Sequence, residues 1–147
     1  MSATPLLRSA SFAELDARTF HDLVRLRVDV FVVEQECAYP EIDGRDVEPG
    51  TRHLWLAHDG APVAYLRILA DPDGVVRIGR VVVASDARGA GHAGRLMTAA
   101  LAEVGDRPCV LDAQSHLVDF YTRHGFTVSG PEYVEDGIPH TPMRRTR

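Results

Sequence analysis

The sequence contains no lysine, since all 16 of its basic residues are arginine. A Walker-type phosphate loop needs a lysine that reaches the nucleotide phosphates, and Schiff-base catalysis needs a lysine amine. The absence of lysine therefore excludes a Walker-type nucleotide hydrolase and a Schiff-base enzyme.

Cysteine and metal-binding patterns are also scarce. Cys37 and Cys109 are the two cysteines, and they lie far apart with no C-x-x-C spacing. The seven histidines are scattered, and none forms an H-x-x-x-H pair. We therefore expect no bound metal and no disulfide in a reducing compartment.

Long apolar runs and an excess of positive charge are missing as well. No apolar stretch approaches the roughly 20 residues that span a bilayer, and residues 1–5 show no signal-peptide pattern. The net charge of −5 argues against a nucleic-acid-binding surface. We expect one cytoplasmic domain over residues 1–147, with neither a membrane nor a nucleic acid as its partner.

What is present is a regular alternation of helix and strand patterns. Apolar spacing predicts helices over 16–31 with Asp16 or Thr19 as N-cap, over 91–104, and from a Ser115 cap to His124, where Gly125 ends the helix. Predicted strands cover 53–58, 62–69, 75–83, 109–111 and 126–129, with further strands beginning at Leu6 and lying near 141–145. The helix over 91–104 makes a crossover, so strands 75–83 and 109–111 are predicted to be parallel. The fold class is therefore α/β, a mixed sheet covered by helices on both faces.

A polar loop over residues 34–51 is unusually long for a compact domain. Its acidic residues are Glu34, Glu36, Glu41, Asp43, Asp46 and Glu48. Loops of this length are often functional lids or binding loops, although a solvated connector remains the simpler alternative. Its charge favours a cationic acceptor, approaching past residues 34–48.

The most informative segment is the turn Arg88-Gly89-Ala90-Gly91-His92-Ala93-Gly94, which joins a predicted strand to a predicted helix. Glycines let backbone N–H groups approach a phosphate closely, and the start of a helix adds the positive end of its dipole. The turn therefore predicts a site for the pyrophosphate of a larger cofactor.

Two cofactors compete for this turn. Gly89, Gly91 and Gly94 satisfy the G-x-G-x-x-G pattern of dinucleotide enzymes, with Asp112 near the expected spacing. Against that interpretation, residues 84–88 separate the strand from the glycines, the chain has one crossover, and an antiparallel meander precedes it. A nucleotide-dependent oxidoreductase is therefore the weaker alternative.

A second pattern fits better. Arg88, Gly91 and Ala93 match Q/R-x-x-G-x-G/A, and the later string Phe120-Tyr121-x-x-x-Gly125-Phe126 matches F-Y-x-x-x-G-F. Both resemble motifs of the GNAT superfamily of N-acetyltransferases. Further blocks that span nearly the whole chain resemble its ElaA-like branch; they lie at 27–39, 41–46, 51–54, 64–69, 78–81, 113–117 and 135–140.

The resemblance implies a mechanism and site residues. In this superfamily the strands on either side of the crossover helix splay apart, so the backbones of Val81, Val82 and Val83 should bind the pantetheine of acetyl-CoA. The turn from Arg88 to Gly94 should bind its diphosphate, and Gln114 should contact the cofactor. Tyr121 matches the tyrosine that protonates the departing thiolate.

The general base is less defined. Some relatives use a carboxylate on the strand that here carries Arg77, Gly79 and Arg80, and no acid lies there. Glu34 is the first candidate, and His53 and His140 are alternatives that would also contact the acceptor, through a water relay if needed.

The expected reaction is direct transfer of an acetyl group to the amine of a small molecule or peptide. The alternatives are a non-catalytic acyl-CoA sensor and a synthase that acylates a methionine-derived precursor, the latter suggested by the string Arg27, Phe31 and Glu34. Relatives often form dimers, which leaves a homodimer open, although no segment reads as an interface.

Overall fold

The computed structural model describes residues 4–145. In that range, eight strands form one sheet in the order β1-β2-β3-β4-β5-β8-β6, and β7 also pairs with β8. The strands are β1 (Leu6–Ser11), β2 (Arg52–His58), β3 (Ala61–Ala70), β4 (Val76–Val83), β5 (Cys109–Gln114), β6 (Phe126–Val128), β7 (Tyr133–Glu135) and β8 (Ile138–Arg145). The α-helices are α1 (Ala17–Arg27), α2 (His92–Val104) and α3 (Val118–Thr122).

The sheet confirms the predicted mixed α/β class. The pair β4–β5 is parallel, and the other paired strands of the described range are antiparallel. One apolar layer packs between the sheet and α2, with Leu96, Met97, Ala100 and Val104 buried as the helical spacing predicts. A second layer packs under α1 around Leu23, Leu26, Val30, Trp55, Tyr65 and Val82.

The first helix begins where the sequence predicts and ends differently. Asp16 is the N-cap, because its carboxylate accepts a hydrogen bond from the backbone N–H of Thr19 at 2.7 Å. The helix does not end at residue 31 but widens into a π-helical segment, Val28–Glu34. In its last turn the N–H of Gln35 donates to the carbonyl of Val30 at 3.0 Å. Apolar spacing does not distinguish this wider turn from an α-helical one.

The parallel strands separate soon after they pair. The described pairs of β4 and β5 are Val76 with Cys109 and Arg77 with Val110. Beyond Arg77 the strands diverge, and the β3–β4 register is irregular where Arg80 takes a positive φ of 53°. The facing edges of β4 and β5 therefore keep backbone groups without a partner strand.

In the C-terminal third, the structure differs from the sequence prediction at Ser115 and at the hairpin of β7 and β8. Ser115 does not cap a helix, because its hydroxyl bonds the Thr141 hydroxyl at 2.8 Å and α3 begins only at Val118. The hairpin of β7 and β8 was missed, since prolines in and before β8 weaken the strand pattern. The Asp136-Gly137 turn, with φ of 51° and 77°, carries the signal that identifies it. Among residues 4–145, no helix combines the length and apolar character needed to cross a bilayer.

A buried ionic network fastens the long acidic loop to the sheet. Arg27, which is 0% exposed, donates to Glu41 at 2.6 Å and to Asp46 at 2.9 Å. Arg67 on β3 pairs with Asp46 at 3.0 Å and with Asp43 at 2.5 Å. Burial alone would raise the pKa of the Asp46 carboxyl, but the two guanidinium groups more than offset burial and the pKa falls below its usual range.

The network predicts an unequal cost for removing two arginines. Arg27→Met leaves Glu41 and Asp46 short of a buried cation, so the free energy of unfolding should fall by about 3–5 kcal/mol. Arg52→Met removes partly exposed pairs with Glu14 and Glu103 and should cost at most about 1 kcal/mol. Urea denaturation of both variants checks this, and equal losses would contradict a dominant role of the buried network.

Candidate active site

The divergence of β4 and β5 opens a cleft of about 1000 Å³. Its walls are the two strands, the π-helical segment, α3 and the β7–β8 hairpin. Of the residues predicted from the sequence, the cleft brings together Glu34, Val81, Val82, Val83, Arg88, Ala93, Gln114, Tyr121 and His140. The remaining residues of the glycine-rich turn and His53 are not among the residues that line the cleft.

The glycine-rich turn has the geometry of an anion site. Gly89 and Gly91 have φ of 83° and 79°, a left-handed conformation that favours glycine. Helix α2 then begins at His92 without a side-chain cap, and its first backbone bond runs from Arg95 to Gly91 at 3.1 Å. The amides of His92, Ala93 and Gly94 therefore have no acceptor within the helix. This donor set fits a diphosphate.

The arginine of the motif is already engaged. Arg88 donates to both oxygens of Glu34 at 2.7 and 2.8 Å, and to the Val83 carbonyl at 3.2 Å. These hydrogen bonds lower the pKa of the Glu34 carboxyl, which makes it a weaker base. The first candidate for the general base is thus the counter-ion of the arginine expected to bind the cofactor.

Tyr121 projects from α3 into the cleft wall. Its ring packs edge-on against Phe120 and Phe126, with centroids 5.0 and 6.4 Å away. The residue is 6% exposed, and within the described range no protein group hydrogen-bonds its hydroxyl. Burial raises the pKa of Tyr121 to about 12. The phenol is therefore protonated at neutral pH and is free to donate its proton to a ligand.

The two histidines proposed for the acceptor have different surroundings. His53 is 0% exposed, with Nδ1 at 2.6 Å from the Tyr65 hydroxyl and Nε2 at 3.0 Å from the Asp46 carbonyl. Since that carbonyl only accepts, Nε2 donates to it and Nδ1 accepts from Tyr65. Burial lowers the pKa of His53. Alternating strand positions do not reveal this burial, and it removes His53 from the acceptor candidates.

His140 lies in the cleft wall, directly opposite Gln114 in the β5–β8 register. Its Nδ1 is 2.8 Å from the carbonyl of Ile138, so Nδ1 donates and Nε2 keeps its lone pair when the ring is neutral. The ring stacks on Tyr133 at a centroid distance of 5.7 Å. Gln114 in turn donates to Gln35 across the cleft at 3.4 Å. Sequence reasoning missed Tyr133 and Gln35, because their contacts cross between distant segments.

Ion pairs within the protein limit which acids of residues 34–48 could attract a cationic acceptor. Glu41, Asp43 and Asp46 pair with Arg27, Arg67 and Arg80 rather than facing an incoming cation. The cleft carboxylates without a described ion pair are instead Glu135 and Asp136, at the tip of the β7–β8 hairpin. The number of acidic residues in the loop therefore overstates its free charge.

Comparisons with known proteins agree with this geometry. The family profile described as an acetyltransferase (GNAT) domain matches residues 20–147. A UPF0039 protein of Mycobacterium tuberculosis is 52% identical over 146 residues, covering 97% of this chain and 94% of that protein. An acyl-CoA N-acyltransferase from Pseudomonas aeruginosa superposes with a TM-score of 0.91 at 42% identity, covering 96% of this chain and 99% of that one. Escherichia coli ElaA superposes with a TM-score of 0.91 at 38% identity and the same coverage.

The tyrosines give a prediction from pH titration. Loss of solvent contact is the largest cause that raises the pKa of each of the four tyrosines. The pKa rises to about 12 for Tyr121 and Tyr133, and those of Tyr39 and Tyr65 rise as well. A phenol in water is half ionised near pH ~10. At that pH, ultraviolet difference spectroscopy should therefore show little phenolate in the folded protein and about half ionisation of the tyrosines after denaturation. A folded-state signal equal to the denatured one would contradict the raised pKa values of the tyrosines.

Proposed function

Because the chain belongs to the GNAT acetyltransferase family, we propose that it transfers an acetyl group from acetyl-CoA directly to the amine of a small molecule or peptide. The observation that carries the proposal is the cleft itself. The unpaired edge of β4, the start of α2 at Ala93 and the unpartnered phenol of Tyr121 all belong to the residues that line it. A screen of amines with acetyl-CoA, measuring released thiol, tests the reaction.

Binding of acetyl-CoA would use backbone groups more than side chains. The amides of residues 91–94 would hold the diphosphate, with charge added by Arg88. The edge of β4 from Val81 to Val83 faces the cleft and has no partner strand there, so it would bind the pantetheine as an added strand would. An N–H on this edge would also polarise the thioester carbonyl.

Tyr121 would supply the proton that the departing thiolate needs. A thiol has a pKa of ~8.5, whereas that of Tyr121 is about 12. Transfer to a thiolate already released would therefore be uphill, so Tyr121 would deliver its proton as the C–S bond breaks. Its packing against Phe120 and Phe126 would fix the position of the hydroxyl oxygen.

His140 would take the proton from the amine. An alkylammonium group with a pKa of ~10 is almost fully protonated at pH 7, so attack needs a base. A carboxylate such as Glu34 is a weaker base than an imidazole whether or not it is paired, and His53 is buried away from the cleft. The free Nε2 lone pair of His140 remains on the cleft wall.

Replacing Tyr121 separates catalysis from binding. Tyr121→Phe should lower kcat by about 10²- to 10⁴-fold, because the acid is lost, while calorimetric affinity for CoA stays within a few-fold. The matched control is Tyr39→Phe, which removes a hydroxyl in the same cleft that is bonded to Glu41, and it should keep kcat within a few-fold. Cofactor binding without turnover of any amine in the wild type would favour a sensor instead.

Replacing His140 tests the base. His140→Gln should lower kcat/KM for the amine by about 10²-fold and leave CoA affinity unchanged, because a proton acceptor is lost without any loss of cofactor contacts. His116→Gln alters another histidine that lines the cleft and should have little effect. Equal rates for the two variants in steady-state kinetics would remove His140 from the mechanism.

A further inference from the structure

Glu34 and Arg88 both line the cleft and form an ion pair in its wall. Glu34 ends the π-helical segment and Arg88 begins the glycine-rich turn, so their two hydrogen bonds join segments 54 residues apart. The same guanidinium also donates to the carbonyl of Val83 from Nε and Nη2. Arg88 is thus hydrogen-bonded to the Val83 carbonyl, which pantetheine would use. At the same time the positive charge of Arg88 is neutralised by Glu34.

Breaking the Glu34–Arg88 ion pair costs little free energy. The two side chains are 44% and 41% exposed, and ion pairs of that exposure contribute little to stability. A diphosphate offers Arg88 more negative charge than one carboxylate, with neighbouring backbone amides as additional donors. Arg88 therefore has a stronger alternative partner whenever the cofactor is bound.

We propose that acyl-CoA exchanges the partner of Arg88, and that the released Glu34 carboxylate then binds the ammonium group of the acceptor. This inference rests on the proposed function and adds a residue that positions the acceptor. Without cofactor, Glu34 is neutralised and has little attraction for a cation. With cofactor, a carboxylate appears on the cleft wall next to Gln35, which bonds Gln114 opposite His140. Acceptor affinity would therefore depend on the cofactor through one identifiable group.

The structure favours Glu34 over the acids of the adjoining loop for this role. Glu41, Asp43 and Asp46 are held by arginines of the helix and sheet, and Asp46 is 2% exposed. No cofactor group is expected to draw those arginines away, because they lie on α1, β3 and β4 rather than in the glycine-rich turn. Glu34 alone among these four carboxylates is paired with a residue of the cofactor motif.

A double-mutant cycle measured by calorimetry with CoA tests the exchange. Glu34→Gln should tighten CoA binding by about 1.5- to 5-fold, because Arg88 no longer has to leave an ion pair. In an Arg88→Gln background the same substitution should change the affinity by less than about 1.3-fold, since the pair is already absent. Weaker CoA binding by Glu34→Gln, or an equal gain in both backgrounds, would overturn the exchange.

Asp86→Asn is the matched control for simple charge repulsion. Asp86 is an exposed acid two residues before Arg88, with no described ion pair. Removing it relieves general repulsion of an anionic ligand without freeing Arg88, so CoA affinity should change less than in Glu34→Gln. An equal or larger gain for Asp86→Asn would show that Glu34 acts only through its charge.

The second part of the proposal, that the released Glu34 binds the ammonium group of the acceptor, is tested with n-butylamine as a minimal ammonium probe. Saturation-transfer NMR should detect its binding to the wild-type CoA complex, and at least about 3-fold weaker binding to the free protein and to the Glu34→Gln complex. Glu36→Gln, an exposed neighbour, should behave as the wild type. Equal signals with and without CoA, or no binding in any state, would overturn this half. Thiol release in the amine screen is read separately, so loss of turnover alone counts against the proposed function and not against the exchange.

Discussion

The buried network around Arg27 is the constraint on which the rest of the structure depends. A guanidinium that is 0% exposed must be matched by carboxylates, and here the partners Glu41 and Asp46 come from the long loop rather than from the sheet. Matching this charge therefore folds the loop over β3 and β4. Because Tyr39 and Pro40 of the loop line the cleft, the same ion pairs that satisfy Arg27 also build one wall of the candidate site.

The lack of lysine has a structural counterpart in this network. Arg27 uses Nε for one carboxylate and Nη1 for another, and Arg67 bonds Asp43 through two nitrogens. A planar group with several fixed donors can bridge carboxylates in this way, whereas a single ammonium cannot reproduce the geometry. An all-arginine composition thus suits a protein that fastens an acidic loop by branched ion pairs, a property that net charge does not reveal.

The sequence predicts features that depend on local chemistry, and it fails where distant groups meet. The Asp16 cap, the helix stop at Gly125 and the crossover between β4 and β5 each follow from neighbouring residues. The π-helical end of α1 was missed because apolar spacing is similar in both helix types. The burial of His53 and the pairing of Glu34 with Arg88 required contacts between segments that no local pattern encodes. The roles of the site residues remain predictions.

The two sides of the cleft differ in whether their polar groups already have partners within the protein. On the loop side, arginines neutralise Glu41, Asp43 and Asp46. That wall therefore bounds the cleft without presenting a free carboxylate from these three residues. On the strand side, the divergence of β4 from β5 leaves backbone groups unsatisfied, and unsatisfied backbone in a protein must find another partner. A ligand able to bind there needs an extended chain of amides and an anionic end, which is the chemistry of a pantetheine diphosphate. Under the proposed function, the fold would therefore select its donor mainly through the backbone and leave acceptor choice to the side chains of the cleft.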